Sequence, residues 1–100
     1  MSDDLHMDPE HFRELGRKLI DFIADYREKI ETRPVLSQVQ PGEVAAGLPL
    51  EPPLEGDSLD NILQDIDRIV MPGLTHWQSP GFFGYYPANS SLPSVLAELL

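Results

Sequence analysis

The residues of this 100-residue chain that could do chemistry crowd into one stretch, Thr75-His76-Trp77-Gln78-Ser79-Pro80-Gly81-Phe82-Phe83-Gly84-Tyr85-Tyr86-Pro87-Ala88-Asn89-Ser90-Ser91. Flat aromatic walls joined by Gly and Pro turns, with phenol, amide and hydroxyl tips among them, suit a pocket for a small planar ligand. The same residue types also build a plain aromatic core beneath a loop, because aromatics dominate core energetics as readily as they line pockets. His76 by itself reads as a hydrogen-bonded core or loop histidine rather than a catalyst.

Elsewhere the chemistry is sparse. Lys18 and Lys29, the only lysines, fall on the solvated face of a predicted helix, whereas a lysine nucleophile needs a desolvated pocket to lower its pKa. His6 and His11 straddle a helix start, which is poor ligand geometry, and nothing has zinc-site spacing. Asp65 and Asp67 point in different directions on one helix, so they make no catalytic carboxylate pair. No glycine loop of the phosphate-binding type follows a predicted strand. Metal ligands and catalytic residues are therefore not expected in this chain.

Composition removes further classes. Seven Lys plus Arg against seventeen Asp plus Glu leave a net charge of −10, so the cations needed for nucleic-acid binding by counterion release are missing, and an anionic membrane would repel the chain. Zero cysteine excludes a disulfide scaffold and thiolate chemistry. The acidic start, Met1-Ser2-Asp3-Asp4-Leu5-His6, is unlike a basic leader, and no apolar run approaches the roughly 20 residues of a membrane span. These features predict a cytoplasmic chain with no membrane and no nucleic-acid partner.

The elements that must position the aromatic stretch are mainly α. Asp8 can cap a helix whose first turn holds Pro9, and Phe12, Leu15, Leu19, Phe22 or Ile23, Tyr26 and Ile30 then recur at steps of three and four. This predicts a helix over about 8–32, stopped by Pro34. At 1.5 Å per residue it is roughly 37 Å long, longer than a 100-residue globule is wide, so it needs a partner surface. A Pro-rich wrap over 34–57 follows, with one or two turns stopped by Gly47 and with Val35, Leu36, Val39, Val44, Leu48, Leu50 and Leu54 expected to be buried. Ser58 caps a second helix over about 58–71, its buried face Leu59, Ile62, Leu63, Ile66, Ile69 and Val70, closed by Met71-Pro72-Gly73. The aromatic stretch is a shaped loop. Ser91 then caps a third helix with Pro93 in its first turn and an apolar face at Leu92, Val95, Leu96, Leu99 and Leu100 still open at the last residue, from which the chain is expected to continue in a longer protein.

His76-Trp77-Gln78-Ser79-Pro80 followed by Tyr85-Tyr86-Pro87-Ala88 resembles the N-terminal region of the pyridoxal-phosphate-dependent group II amino-acid decarboxylases, the family of aromatic-L-amino-acid and histidine decarboxylases. The resemblance extends through Asp8-Pro9-Glu10, Phe12-Arg13, Asp21-Phe22-Ile23-Ala24-Asp25-Tyr26, Val39-Gln40-Pro41-Gly42, Met71-Pro72-Gly73 and Pro93-Ser94-Val95-Leu96. It implies a helical dimerisation arm over 1–73, and over 74–100 a substrate-pocket loop and the start of the next helix. A large α/β domain of the fold-type I, aspartate-aminotransferase-like class would follow residue 100. By position, Trp77, Tyr85, Tyr86, Pro87 and Ala88 inherit the wall of the substrate side-chain pocket. Pyridoxal 5'-phosphate and the residues that bind it would lie beyond this chain, which alone would be inactive, within a homodimer acting on a small amino acid, aromatic ones foremost.

Ala88 departs from the animal aromatic decarboxylases, which carry a threonine there whose hydroxyl can bond a ring hydroxyl. Tyr-Tyr-Pro-Ala is closer to animal histidine decarboxylases. Two other outcomes fit the residues: an aldehyde synthase of the same family, and a helical interaction module without catalysis.

Overall fold

Asp8 starts the first helix as its sequence requires: its side chain accepts the His11 amide at 2.7 Å, and Pro9 fills a first-turn position that needs no amide hydrogen. The structure is a computed structural model that describes residues 7–84 and 90–100. Helix α1 spans Pro9–Lys29, and a 3₁₀ turn, Ile30–Thr32, tightens its end. Arg33 is already extended, at φ −93° and ψ 145°, because the Pro34 ring crowds the helical conformation of the residue before it.

The wrap then runs back along the molecule. Gly42 takes φ +86°, a left-handed conformation open to glycine at little cost, and turns the chain into the short helix α2, Glu43–Gly47. Helix α3, Leu59–Asp65, begins at Ser58, whose hydroxyl accepts the Asn61 amide at 3.2 Å, while Asp57 accepts from the Ser58 amide and the Asn61 side chain. Helix α4, Leu92–Leu99, opens with a reciprocal cap between Ser91 and Ser94. The described residues hold no strand.

Three expectations need correction. The helix expected over 58–71 is three pieces: α3, a π-helical turn at Ile66–Val70 and a 3₁₀ turn at Met71–Gly73. Each residue added to a turn rotates the rest of the helix by about 100°, so the expected apolar face is broken, and Ile62 and Val70 are exposed. Leu36, Leu48, Leu50 and Leu54 of the wrap are exposed as well, the last two fully, because none of the described elements covers them. Lys18 is not simply solvated, since its ammonium reaches Asp60 of α3 at 3.1 Å. The α1 stripe, expected to need a partner surface, buries little inside the chain: Phe12 and Leu19 are exposed, and only Ile30, just past the helix, is buried.

The chain is accordingly open. Its accessible area is 8663 Å², against about 5,700 Å² for a compact monomer of this mass, and its radius of gyration is 16.3 Å, against about 13 Å for 100 residues. Ile30 and Met71 are the buried apolar side chains among the described residues. They mark where the end of α1 crosses the turn that leads into the aromatic loop.

Candidate functional site

That crossing joins the end of α1 to the start of the loop. Tyr26, one turn before the helix ends, sets its hydroxyl 2.7 Å from His76 Nδ1, with the two rings 5.5 Å apart and tilted by 48°. His76 is only 4 % exposed. Its main chain is fixed on both sides, the amide donating to Val35 O at 2.9 Å and the carbonyl accepting from the Ser79 amide at 3.1 Å. Beside this segment the Ser37 hydroxyl donates to Pro72 O at 2.9 Å, so the start of the wrap runs alongside the loop entrance.

Arg33 closes the cluster. Its guanidinium stands 6.0 Å from the Tyr26 ring centre and donates to Asp67 Oδ1 at 3.2 Å. Burial lowers the His76 pKa below 6.5, and the Arg33 charge lowers it further. Burial also raises the Tyr26 pKa above 10, against the opposing pull of Arg33 and Arg27. Both rings are therefore neutral near pH 7, and the bond between them joins two uncharged groups. With Nδ1 engaged and the imidazole buried, the geometry suits holding the loop rather than carrying protons to a ligand.

Beyond His76 the chain forms an aromatic platform. The Trp77 and Phe82 rings stack, 5.3 Å apart and 16° from parallel. The turn between them is closed by the Phe82 amide on Ser79 O at 3.0 Å and the Gly81 amide on Ser79 Oγ at 3.2 Å. Trp77 remains 47 % exposed, so it keeps an open side, and Phe83 is almost wholly exposed. At the far end of the loop Arg27 donates to both Ser90 Oγ and Ser90 O, each at 2.8 Å, and the Ser90 amide donates to Gln78 Oε1 at 3.3 Å.

Of the five residues expected on the pocket wall, Trp77 is thus placed on a stacked, partly open platform. Tyr85, Tyr86, Pro87 and Ala88 lie outside the described residues. Two hollows occur elsewhere. A cleft of about 560 Å³ between α1 and α3 is lined by Asp25, Lys29, Asp60 and Asp67 among others, and one of about 370 Å³ lies between the wrap and the Met71–Gly73 turn beside His76. Neither of these two reaches Trp77. The first is open and rich in carboxylates, unlike an enclosed apolar ligand pocket.

Sequence reasoning missed the partners of the loop. Tyr26 counts there only as one more apolar member of the α1 stripe, and Arg27 and Arg33 are given no role. The available signal was the phenol itself, a polar tip on an otherwise apolar face that must find a partner when covered.

A family profile described as the pyridoxal-dependent decarboxylase conserved domain matches residues 41–100. Over 94 residues, 94 % of this chain, the sequence is 51 % identical to tryptophan decarboxylase 2 of Oryza sativa subsp. japonica and 52 % identical to phenylacetaldehyde synthase of Arabidopsis thaliana. In each case it spans 19 % of the relative's length. The fold superposes on the crystal structure of Catharanthus roseus tryptophan decarboxylase in complex with L-tryptophan with a TM-score of 0.86 at 40 % identity, covering 93 % of this chain and 19 % of that one. These relatives are about five times as long, and the chain belongs to the pyridoxal-dependent decarboxylase family, whose N-terminal region it matches.

Proposed function

We propose that this chain is the N-terminal arm of a pyridoxal-phosphate-dependent enzyme that decarboxylates an aromatic L-amino acid, with residues 1–73 making dimer contacts and 74–100 entering the large domain. The observation that carries the reading is the open apolar surface on a chain so similar to aromatic decarboxylases. About 3,000 Å² more area is exposed than a compact monomer of this mass would leave. Phe12, Leu19 and Ile20 on α1 and Leu92, Leu96 and Leu99 on α4 contribute to it. Excess area on that scale, with large apolar side chains in it, is what an obligate dimer and a following domain cover.

Pyridoxal phosphate is the cofactor of this reading, and the described residues do not fit it. Lys18 is engaged by Asp60, and Lys29 lies on the carboxylate-lined cleft. The cofactor residues would belong to the rest of the enzyme. Within this chain Trp77 supplies one face for the ring of the substrate, its Phe82 partner keeping the indole plane fixed. By family resemblance Tyr85, Tyr86, Pro87 and Ala88 continue that wall.

An aldehyde synthase is the second reading, favoured by the 52 % identity to phenylacetaldehyde synthase. Both release carbon dioxide, and product analysis of the full-length enzyme with L-tryptophan, L-tyrosine and L-phenylalanine separates the two: amine formed without uptake of dioxygen supports the decarboxylase, whereas aldehyde, ammonia and hydrogen peroxide formed with uptake of dioxygen support the synthase. Failure to turn over any of them in a preparation saturated with pyridoxal phosphate refutes both.

A further inference from the structure

Two neighbouring residues of α1 hold the two ends of one loop. Consecutive helix positions lie about 100° apart, so Tyr26 and Arg27 project in different directions. Tyr26 meets His76, where the aromatic segment begins, and Arg27 meets Ser90, where it ends, fourteen residues later. The two ends are also tied to each other, because the Ser90 amide donates to Gln78 Oε1. Ser90 in turn precedes Ser91, the cap of α4, so the same guanidinium fixes where that helix starts.

We infer that Tyr26 and Arg27 are positioning residues for the substrate wall: by fixing His76 and Ser90 on one rigid helix, they set where the Trp77 ring stands. The inference rests on the reading of Trp77 as part of that wall. Trp77 directly follows His76, whose imidazole is held by Tyr26 and whose amide and carbonyl are held by Val35 and Ser79. Its indole therefore has little freedom to move unless that anchor opens. Arg27 suits the other end because its planar fork engages a hydroxyl and a carbonyl of one residue at once, which a lysine ammonium cannot match in direction. The long arm helix would thus tune substrate binding without touching substrate.

The test uses the full-length enzyme loaded with pyridoxal phosphate and the variants Arg27→Ala, Arg27→Lys, Tyr26→Phe and Trp77→Ala. KM and kcat are measured for L-tryptophan and L-phenylalanine, the visible absorbance of the bound cofactor is recorded, and hydrogen exchange is followed over residues 74–84. Arg27→Ala is expected to raise KM by about three- to thirtyfold, on the scale of one or two hydrogen bonds, with kcat changed less than about twofold. Arg27→Lys recovers part of the loss, Tyr26→Phe acts in the same direction, and exchange over 74–84 accelerates in both Arg27→Ala and Tyr26→Phe. Should Arg27→Ala fail to fold, the two conservative variants decide the matter by the same readouts. Unchanged exchange in Arg27→Ala and Tyr26→Phe overturns the inference whatever Trp77→Ala does. A raised KM in Trp77→Ala with none in the α1 variants also overturns it, leaving the wall intact. An unchanged KM in Trp77→Ala overturns the wall reading, and with it the role of α1 in substrate binding. Loss of kcat and cofactor absorbance in step makes α1 a general scaffold and overturns the inference as well.

Discussion

Gly73 sits where α2 presses on the turn that feeds His76, and replacing it by alanine is a direct probe of that packing. A Cβ built at Gly73 would lie 2.5 Å from Val44 Cγ2 and 3.7 Å from Val44 Cβ. The Gly73 φ is not positive, so the backbone accepts alanine and the cost comes from the contact alone. Val44 cannot rotate freely out of the way, because a β-branched side chain on a helix has one strongly preferred rotamer. Either α2 or the Met71–Gly73 turn must therefore move. Overpacking of this kind costs about 1–3 kcal/mol, which is about a 5- to 150-fold rise in the population of the locally opened state. Since α2 is only five residues long and can yield, the lower half of that range is expected. The assay is hydrogen exchange of the Leu74 amide, which donates to Met71 O at 3.1 Å, and of the His76 amide, which donates to Val35 O at 2.9 Å. Gly73→Ala should speed both, and adding Val44→Ala, which makes room for the new methyl, should bring the rates back to within about threefold of the parent. Unchanged exchange in Gly73→Ala, or no relief from Val44→Ala, would refute the packing argument.

Four other outcomes are expected. Leu19→Asp with Ile23→Asp places two charges on the α1 stripe and should dissociate the dimer proposed for the full-length enzyme, so an intact dimer in sedimentation would show that this face is not the interface. Because the His76 pKa is lowered on folding, the unfolded chain binds more protons; the contribution of His76 is complete above about pH 6.5 and is lost as pH falls from there toward the folded value, and a ring titration by NMR with a midpoint at or above 6.5 would contradict this. Tyr26, raised above 10, behaves oppositely, its contribution being present below pH 10 and lost as pH climbs through the folded value. Ala88→Thr should favour a dihydroxyphenyl substrate over phenylalanine by about two- to tenfold in kcat/KM, the worth of one hydrogen bond, and an equal effect on every substrate would place residue 88 away from the ring.

What the sequence determined by itself is local. The three cap residues Asp8, Ser58 and Ser91, the stop before Pro34 and the short helical stretch that ends at Gly47 each follow from chemistry within a few residues, and the structure places each as expected. Three things were decided by tertiary structure. The π-helical turn at Ile66–Val70 puts Asp67 within reach of Arg33, although the periodicity of that stretch reads as one plain helix. The exposure of Leu36, Leu48, Leu50 and Leu54 depends on what lies opposite them, and hydrophobicity alone cannot distinguish a residue buried by its own chain from one left for another surface. The contacts Tyr26–His76 and Arg27–Ser90 span 50 and 63 residues, and side-chain type carries no signal for the distant group it will meet. A helix face is written in its own residues, but the loop it holds is chosen only when the chain crosses itself.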